Sequence, residues 1–296
     1  MQTDVKKRVG ILRGGAGRHY ASSLERGGDI ISNIFENLSD KYEVTDILID
    51  KEGIWHLNGR PIVPVDLMHR IDAVWNTSGQ PGLSMALDSL SIPNVLGEYF
   101  FGIFRNNNDI LKTHLKNIGI KMPKSIISPQ NALGRSPMGE AREVFEKFSS
   151  PWIVKINNEI KLVKTFPELV DAIEDGVTYK KSILVEEFIL GKVFSIHSLT
   201  GFRGEKIYVF PPENFLTDEK EKITDIVRNL HKHLDIKHYL KSDFILHAQR
   251  GFFLTGIDSS PDLRRGSDLE QSCKHVGAEI HHIIEHILKR ILEKRT

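Results

Sequence analysis

Ser182-Ile183-Leu184-Val185-Glu186-Glu187-Phe188-Ile189-Leu190-Gly191 is the stretch on which the reading of the whole chain turns. Residues 182–189 have the apolar content of a buried strand with an acidic pair near its end, and Gly191 supplies a hinge-like turn. Upstream, Trp152–Ile156 and Ile160–Lys164 flank Asn157-Asn158-Glu159 and read as a hairpin carrying Lys155. Thr165 and Glu168 then form a capping-box pair that opens a helix through Leu169 and Ile173. Downstream, Val193–Leu199 and Lys206–Phe210 read as strands, and Tyr239–His247 with Gly251–Asp258 as a second long hairpin. Ile223, Ile226, Val227, Leu230 and Leu234 make one helical face, and a single terminal helix is predicted from about Asp268 to Lys294.

The first third has a different pattern. Val9–Arg13 is a short buried strand followed by Gly14-Gly15-Ala16-Gly17, then by a helix whose apolar stripe is Ile30, Ile31, Ile34, Phe35 and Leu38. Tyr42–Ile49 and Ile71–Trp75 are further strands, and Asn58-Gly59 marks a tight hairpin between them. Strand–helix alternation of this kind predicts a parallel, doubly wound domain. The fold class is therefore α/β followed by α+β: a Rossmann-like domain over residues 1–105, then two α+β subdomains over 106–190 and 191–296. Ile110–Ile118 is predicted helical, and Ser128–Gly139 a mobile loop.

Composition narrows the function classes. The chain has 296 residues with Lys+Arg 40 against Asp+Glu 39, so no large basic excess is available to grip a nucleic-acid backbone. No apolar run approaches the roughly 20 residues needed to span a bilayer. Cys273, the only cysteine, excludes an internal disulfide and a cysteine-built metal cage. The expectation is a soluble cytoplasmic protein with no nucleic-acid or membrane partner. His231, His233, His238, His281, His282 and His286 read as solvated helix faces rather than metal ligands. Arg264-Arg265 reads as loop surface, and Cys273 as a packed helix residue.

The second hairpin gathers charge. If Ala248–Gly251 is its loop, His247 pairs with Phe252, Asp243 faces Gly256, and Lys241 faces Asp258, all on one side of the sheet. Two carboxylates and one ammonium in a patch suit a metal–phosphate site, or a plain Lys241–Asp258 ion pair.

The order of a Rossmann-like half, a lysine hairpin, Val185-Glu186-Glu187-Phe188-Ile189 and Lys241-Ser242-Asp243-Phe244 resembles the ATP-grasp superfamily, and within it the D-alanine–D-alanine ligases. The resemblance runs from Val9 to the terminal helix. It implies ATP and Mg2+ as cofactors, an amino-acid substrate, and a homodimer. The implied reaction is carboxylate–amine ligation through an acyl phosphate, as in cell-wall (peptidoglycan) precursor synthesis. By the same resemblance Lys155 reaches the ATP phosphates, and Glu186, Glu187, Phe188 and Ile189 form the adenine hinge. Asp243 and Asp258 are matched to metal ligands, Lys241 stands where the family usually has arginine, and Ser23 and Ser267 serve the substrate site.

Several family groups are replaced. Gly256 stands for an acidic metal ligand, Val193 for a ribose-binding glutamate, Asn108 for a phosphate lysine and His19 for a substrate-ordering glutamate. Asp262 stands for a glycine, residues 76–82 are a reduced form of a longer family motif, and no glycine-rich loop follows Lys155. Three readings stay open: a divergent active ligase, a non-catalytic homologue acting by weak nucleotide binding or protein contacts, and a ligase with altered substrate.

Overall fold

In the computed structural model, residues 5–17, 19–78, 80, 82–95, 108–128, 136–156, 159–178 and 183–293 are described. The Asn157-Asn158 turn, Ser182, residues 129–135 of the expected mobile loop, and the side chain of Asn108 lie outside them.

The first stretch contains β1 (Lys7–Gly14), α1 (Tyr20–Asn37), β2 (Tyr42–Ile49), β3 (Trp55–Leu57), β4 (Arg60–Ile62), β5 (Ala73–Asn76), α2 (Leu83–Ser89) and β6 (Asn94–Val95). Its sheet has the order β4-β3-β2-β1-β5-β6, with β1 parallel to both β2 and β5. The uninterrupted apolar run of β1 is explained by cover on both faces. Val9 and Ile11 join Ile30, Ile34 and Trp75 on one side, and Leu12 joins Ile47, Ile49 and Val74 on the other. Asn58 and Gly59 both take positive φ (51° and 75°), as a type I′ turn requires. The helical stripe needs one correction. The buried line of α1 is Ser23, Gly27, Ile30 and Ile34, and Phe35 is 76% exposed, because it lies one step beyond the 3.6-residue repeat.

The middle stretch contains α3 (Asn108–Asn117), β7 (Ser125–Ser128), α4 (Pro137–Lys147), β8 (Trp152–Ile156), β9 (Glu159–Val163), α5 (Phe166–Thr178) and β10 (Ile183–Glu187). The sheet order is β7-β10-β8-β9, all antiparallel. The capping box is present: the Glu168 carboxylate accepts from the amides of Lys164 (2.9 Å) and Thr165 (3.3 Å). The end of the expected mobile loop is helix instead. Ser136 caps α4 by accepting from the Gly139 amide at 3.1 Å, with Pro137 in the first turn, where its missing N–H costs nothing.

The last stretch contains β11 (Lys192–Thr200), β12 (Ile207–Val209), α6 (Thr217–His233), β13 (Tyr239–His247), β14 (Gly251–Asp258), α7 (Asp268–His275) and α8 (Ile280–Glu293), with sheet order β12-β11-β13-β14. The single terminal helix of the sequence reading is thus two. The Ala278 amide donates to the Cys273 carbonyl (2.9 Å) and the Gly277 amide to that of Lys274 (3.0 Å), a Schellman stop that Gly277 permits.

The chain forms two compact units, one made of residues 1–114, 195–242 and 257–296, the other of residues 115–194 and 243–256. In the first, Leu199, Tyr239, Ile283, Ile284, Ile287 and Leu288 share a core with the β1 face carrying Val9 and Ile11. In the second, Trp152, Val154, Ile156, Ile183 and Val185 pack on Ala141 and Val144 of α4 and Leu169, Ala172 and Ile173 of α5. Among the described residues no helix is long and apolar enough to cross a membrane.

Candidate functional site

The second unit has a sheet with one face packed on helices and, among the described residues, one face that is partly exposed. Alternation along the strands turns Trp152, Val154 and Ile156 toward the helices, so Ile153 and Lys155 point the other way. Register places Leu162 opposite Ile153, Ile160 opposite Lys155, and Glu186 opposite Ile153. The partly exposed face therefore carries Ile153, Ile160, Leu162 and Leu184 around Lys155 and Glu186. Ile160 is 66% and Leu162 48% exposed. Lys155 Nζ lies 2.6 Å from Glu186 Oε2. An apolar surface with a cation beside it has the chemistry to take a planar ring and an anionic group.

The acidic pair splits at the end of β10. Glu186 turns to Lys155 on the sheet face, whereas Glu187 turns to the loop joining β13 and β14. Arg250 donates to Glu187 through Nη1 (2.6 Å) and Nη2 (3.4 Å), and the Lys124 amide donates to the same carboxylate at 3.3 Å. Burial alone would raise the Glu187 pKa; the Arg250 hydrogen bonds, the Lys124 amide and the Arg250 charge reverse this and hold it below the usual carboxylate range. Phe188 is half-buried, with its amide on the Pro151 carbonyl (3.3 Å), and Ile189 is buried.

The expected hairpin register holds in this unit. Gly251 closes the loop with φ 78°, and a Cβ placed on Gly256 would lie 3.6 Å from Asp243 Cβ and 3.1 Å from its Oδ2. Asp243 and Gly256 are thus direct cross-strand neighbours. The position opposite this carboxylate has no side chain, so the pair offers one acidic ligand where two would be expected of a two-ion site. Among the described residues no three His, Cys, Asp or Glu side chains are grouped to hold a metal. One magnesium ion still fits the donor set, because magnesium takes one or two protein carboxylates and completes its shell with phosphate oxygens and water.

The other predicted residues belong to the first unit, apart from those just described. Lys241 and Asp258 lie two residues further along the same strands, and the charge of Lys241 helps to lower the pKa of Asp262. The main cause of that lowering is Arg264, which grips Asp262 through Nε (2.8 Å) and Nη2 (2.7 Å). Arg264 is therefore an ion-pair partner and not simply loop surface. Asp258 accepts from the Ser260 amide at 2.9 Å. Ser23 is fully buried: its hydroxyl accepts from the Gly14 amide (2.9 Å) and bonds the Thr77 hydroxyl (3.1 Å). Ser267 caps α7, accepting from the Glu270 amide (3.2 Å) and donating to the Asp262 carbonyl (3.0 Å).

Of the histidines read as solvated, His233 and His282 are exposed, whereas His231 and His238 are buried. His231 is buried, with Nδ1 at 2.7 Å from the Ser198 hydroxyl and Nε2 at 2.7 Å from that of Thr200. His197, not singled out from sequence, is buried with Nδ1 at 2.7 Å from the Tyr239 hydroxyl. Burial lowers their pKa values to about 4 and about 3, so both rings are neutral. Cys273 is buried as expected, and burial raises its thiol to about 12. Arg250 was also missed; no periodicity links a loop tip to a strand end.

No family model matches the chain. It is 21% identical to the D-alanine–D-alanine ligase of Christiangramia forsetii across 98% of this chain and 100% of that protein. The corresponding ligase of Fervidobacterium nodosum is 23% identical across 97% and 99%. Among solved structures, D-alanyl-alanine synthetase A from Vibrio cholerae superposes with a TM-score of 0.79 at 16% identity, covering 98% of this chain and 99% of that one. D-alanine–D-alanine ligase from Bacillus anthracis complexed with ATP gives 0.75 at 20% identity, covering 99% of each. The chain is D-alanine–D-alanine ligase-like, with the ATP-grasp fold. In this ligase-like chain Lys155 and Glu186–Ile189 lie together in the second unit, and Asp243 stands opposite a glycine.

Proposed function

We propose that this ligase-like chain binds ATP with one magnesium ion and performs D-alanine–D-alanine-type ligation slowly, with purine recognition kept and the phosphate end reduced. The observation that carries this reading is Asp243 facing Gly256. Lys155 serves the phosphates, Glu186–Ile189 form the adenine hinge and Asp243 serves the metal, with Asp258 carried over as a metal ligand by the family resemblance alone. When bound, magnesium neutralises phosphate charge. Lys241 serves the reacting centre, Ser23 supports the substrate loop from inside, and Ser267 holds the loop before α7. In this reading residues 1–105 precede two ATP-grasp subdomains, 106–190 and 191–296, and the protein works in the cytoplasm on cell-wall precursors as a homodimer.

Groups that stabilise transition-state charge contribute about 2–4 kcal/mol each, so losing even one lowers turnover by roughly 10²–10³-fold. A second reading, a nucleotide-binding homologue without turnover, is favoured by the Lys155–Glu186 pair, which already neutralises the lysine. Titration calorimetry with ATP and magnesium is expected to show binding that Asp243→Ala weakens at least tenfold; unchanged heats would remove Asp243 from the site. Phosphate release assayed with D-alanine separates the two readings. Slow, D-alanine-dependent release supports ligation, and none above background supports the binding module. Rapid release contradicts both.

A further inference from the structure

Glu187 and Arg250 are 63 residues apart in sequence, and their contact joins the end of the hinge strand to the tip of the β13–β14 hairpin inside the second unit. It is the centre of a built junction. The Arg250 guanidinium lies 4.6 Å from the centroid of the Phe253 ring, which fixes its plane. Lys121 Nζ donates to the Arg250 carbonyl at 2.9 Å. His247 Nδ1 accepts from the amides of Gln249 (3.1 Å) and Arg250 (3.2 Å), shaping the loop. Residues 121–124 fill the space between: the Leu254 amide donates to the Lys121 carbonyl, and the Glu187 amide to that of Lys124, each at 2.8 Å. Glu187 is held on both its backbone and its carboxylate, immediately before Phe188 and Ile189.

We infer that Arg250 is a positioning residue for the purine end of the site: its ion pair with Glu187 latches the hairpin tip to the hinge and fixes where the peptide groups of Phe188 and Ile189 stand. The inference rests on the nucleotide reading above for its ligand, but the latch itself is a property of the free protein. A two-point guanidinium–carboxylate contact constrains direction as well as distance, which a single ammonium does less well. The latch acts on the ring end of a nucleotide and leaves its phosphate end alone.

The test compares Arg250→Gln, Arg250→Lys and the exchanged pair Glu187→Arg with Arg250→Glu. Hydrogen exchange is read at residues 186–189 in the nucleotide-free protein, and affinities are measured for ATP and for inorganic tripolyphosphate, both with magnesium. Arg250→Gln is expected to speed hinge exchange at least tenfold and weaken ATP five- to tenfold, with tripolyphosphate unchanged within twofold. Arg250→Lys should recover part of the loss and the exchanged pair most of it. Unchanged hinge exchange in Arg250→Gln overturns the latch, and so does equal weakening of ATP and tripolyphosphate, which would mark a general loss of structure. If the unaltered protein binds no ATP, the nucleotide reading fails by itself, and the exchange rates still decide the latch.

Discussion

The two sheets that open the two units solve the same problem differently. The six-stranded sheet, parallel from β2 through β1 and β5 to β6 and antiparallel at its β3–β4 edge, has apolar cores on both faces, with Val9 and Ile11 in one and Leu12 and Val74 in the other. The four-stranded antiparallel sheet buries Trp152, Val154 and Ile183 on one face and leaves Ile160 and Leu162 exposed on the other. An apolar face that folding leaves uncovered is a surface free to take a ligand, whereas the doubly covered sheet is scaffold. Charge follows the same division: the partly exposed face pairs Lys155 with the buried Glu186 at 2.6 Å.

The contrast predicts opposite outcomes for mutations on the two faces of one sheet. Trp152→Ala removes a fully buried indole and its 3.0 Å bond to the Phe148 carbonyl, and is expected to cost roughly 3–5 kcal/mol in denaturant unfolding. A cost below 1 kcal/mol would mean that this face is not the core of the unit. Acid should separate the units next. His231 and His197 belong to the first unit and are neutral when folded, with pKa values lowered to about 4 and about 3. The unfolded chain takes up protons near pH 6.5, so their contribution is complete above that value and is lost as pH falls from 6.5 toward 4. His231 alone accounts for about 3 kcal/mol. Exchange protection in the first unit should fall across this window before that in the second; simultaneous loss would break the distinction.

Effects on binding are smaller. Lys155→Gln is expected to weaken ATP about tenfold, close to 1.4 kcal/mol, while moving the unfolding midpoint little. If affinity is unchanged by calorimetry, the lysine serves only Glu186. Leu162→Ala, at an exposed position of the same sheet, should change stability by less than about 0.5 kcal/mol. A larger loss would show that the face is covered after all.

Much of this was legible because it is local. Alternation and turn residues defined Tyr239–His247 and Gly251–Asp258 to the residue, and the pleat then put Asp243 against Gly256. The Thr165–Glu168 box read correctly because its partners are three residues apart. Two local signals were passed over: Gly277, which stops α7, and the Ser267–Glu270 cap that starts it. The buried histidines were beyond local reading. On α6 the His231 ring looks like any polar helix residue until β11 brings Ser198 and Thr200 to its two nitrogens.

The sequence by itself determined most of the strands, several of the helices and the likeness to ATP-grasp ligases, since periodicity and motif order are properties of neighbouring residues. Only the tertiary structure decided which partner each charge takes. Glu186 and Glu187 are adjacent in the chain, yet one meets Lys155 across a strand pair and the other Arg250 at a distant hairpin tip. That choice depends on where separate segments meet, and an ion pair forms wherever folding brings opposite charges within a few ångströms.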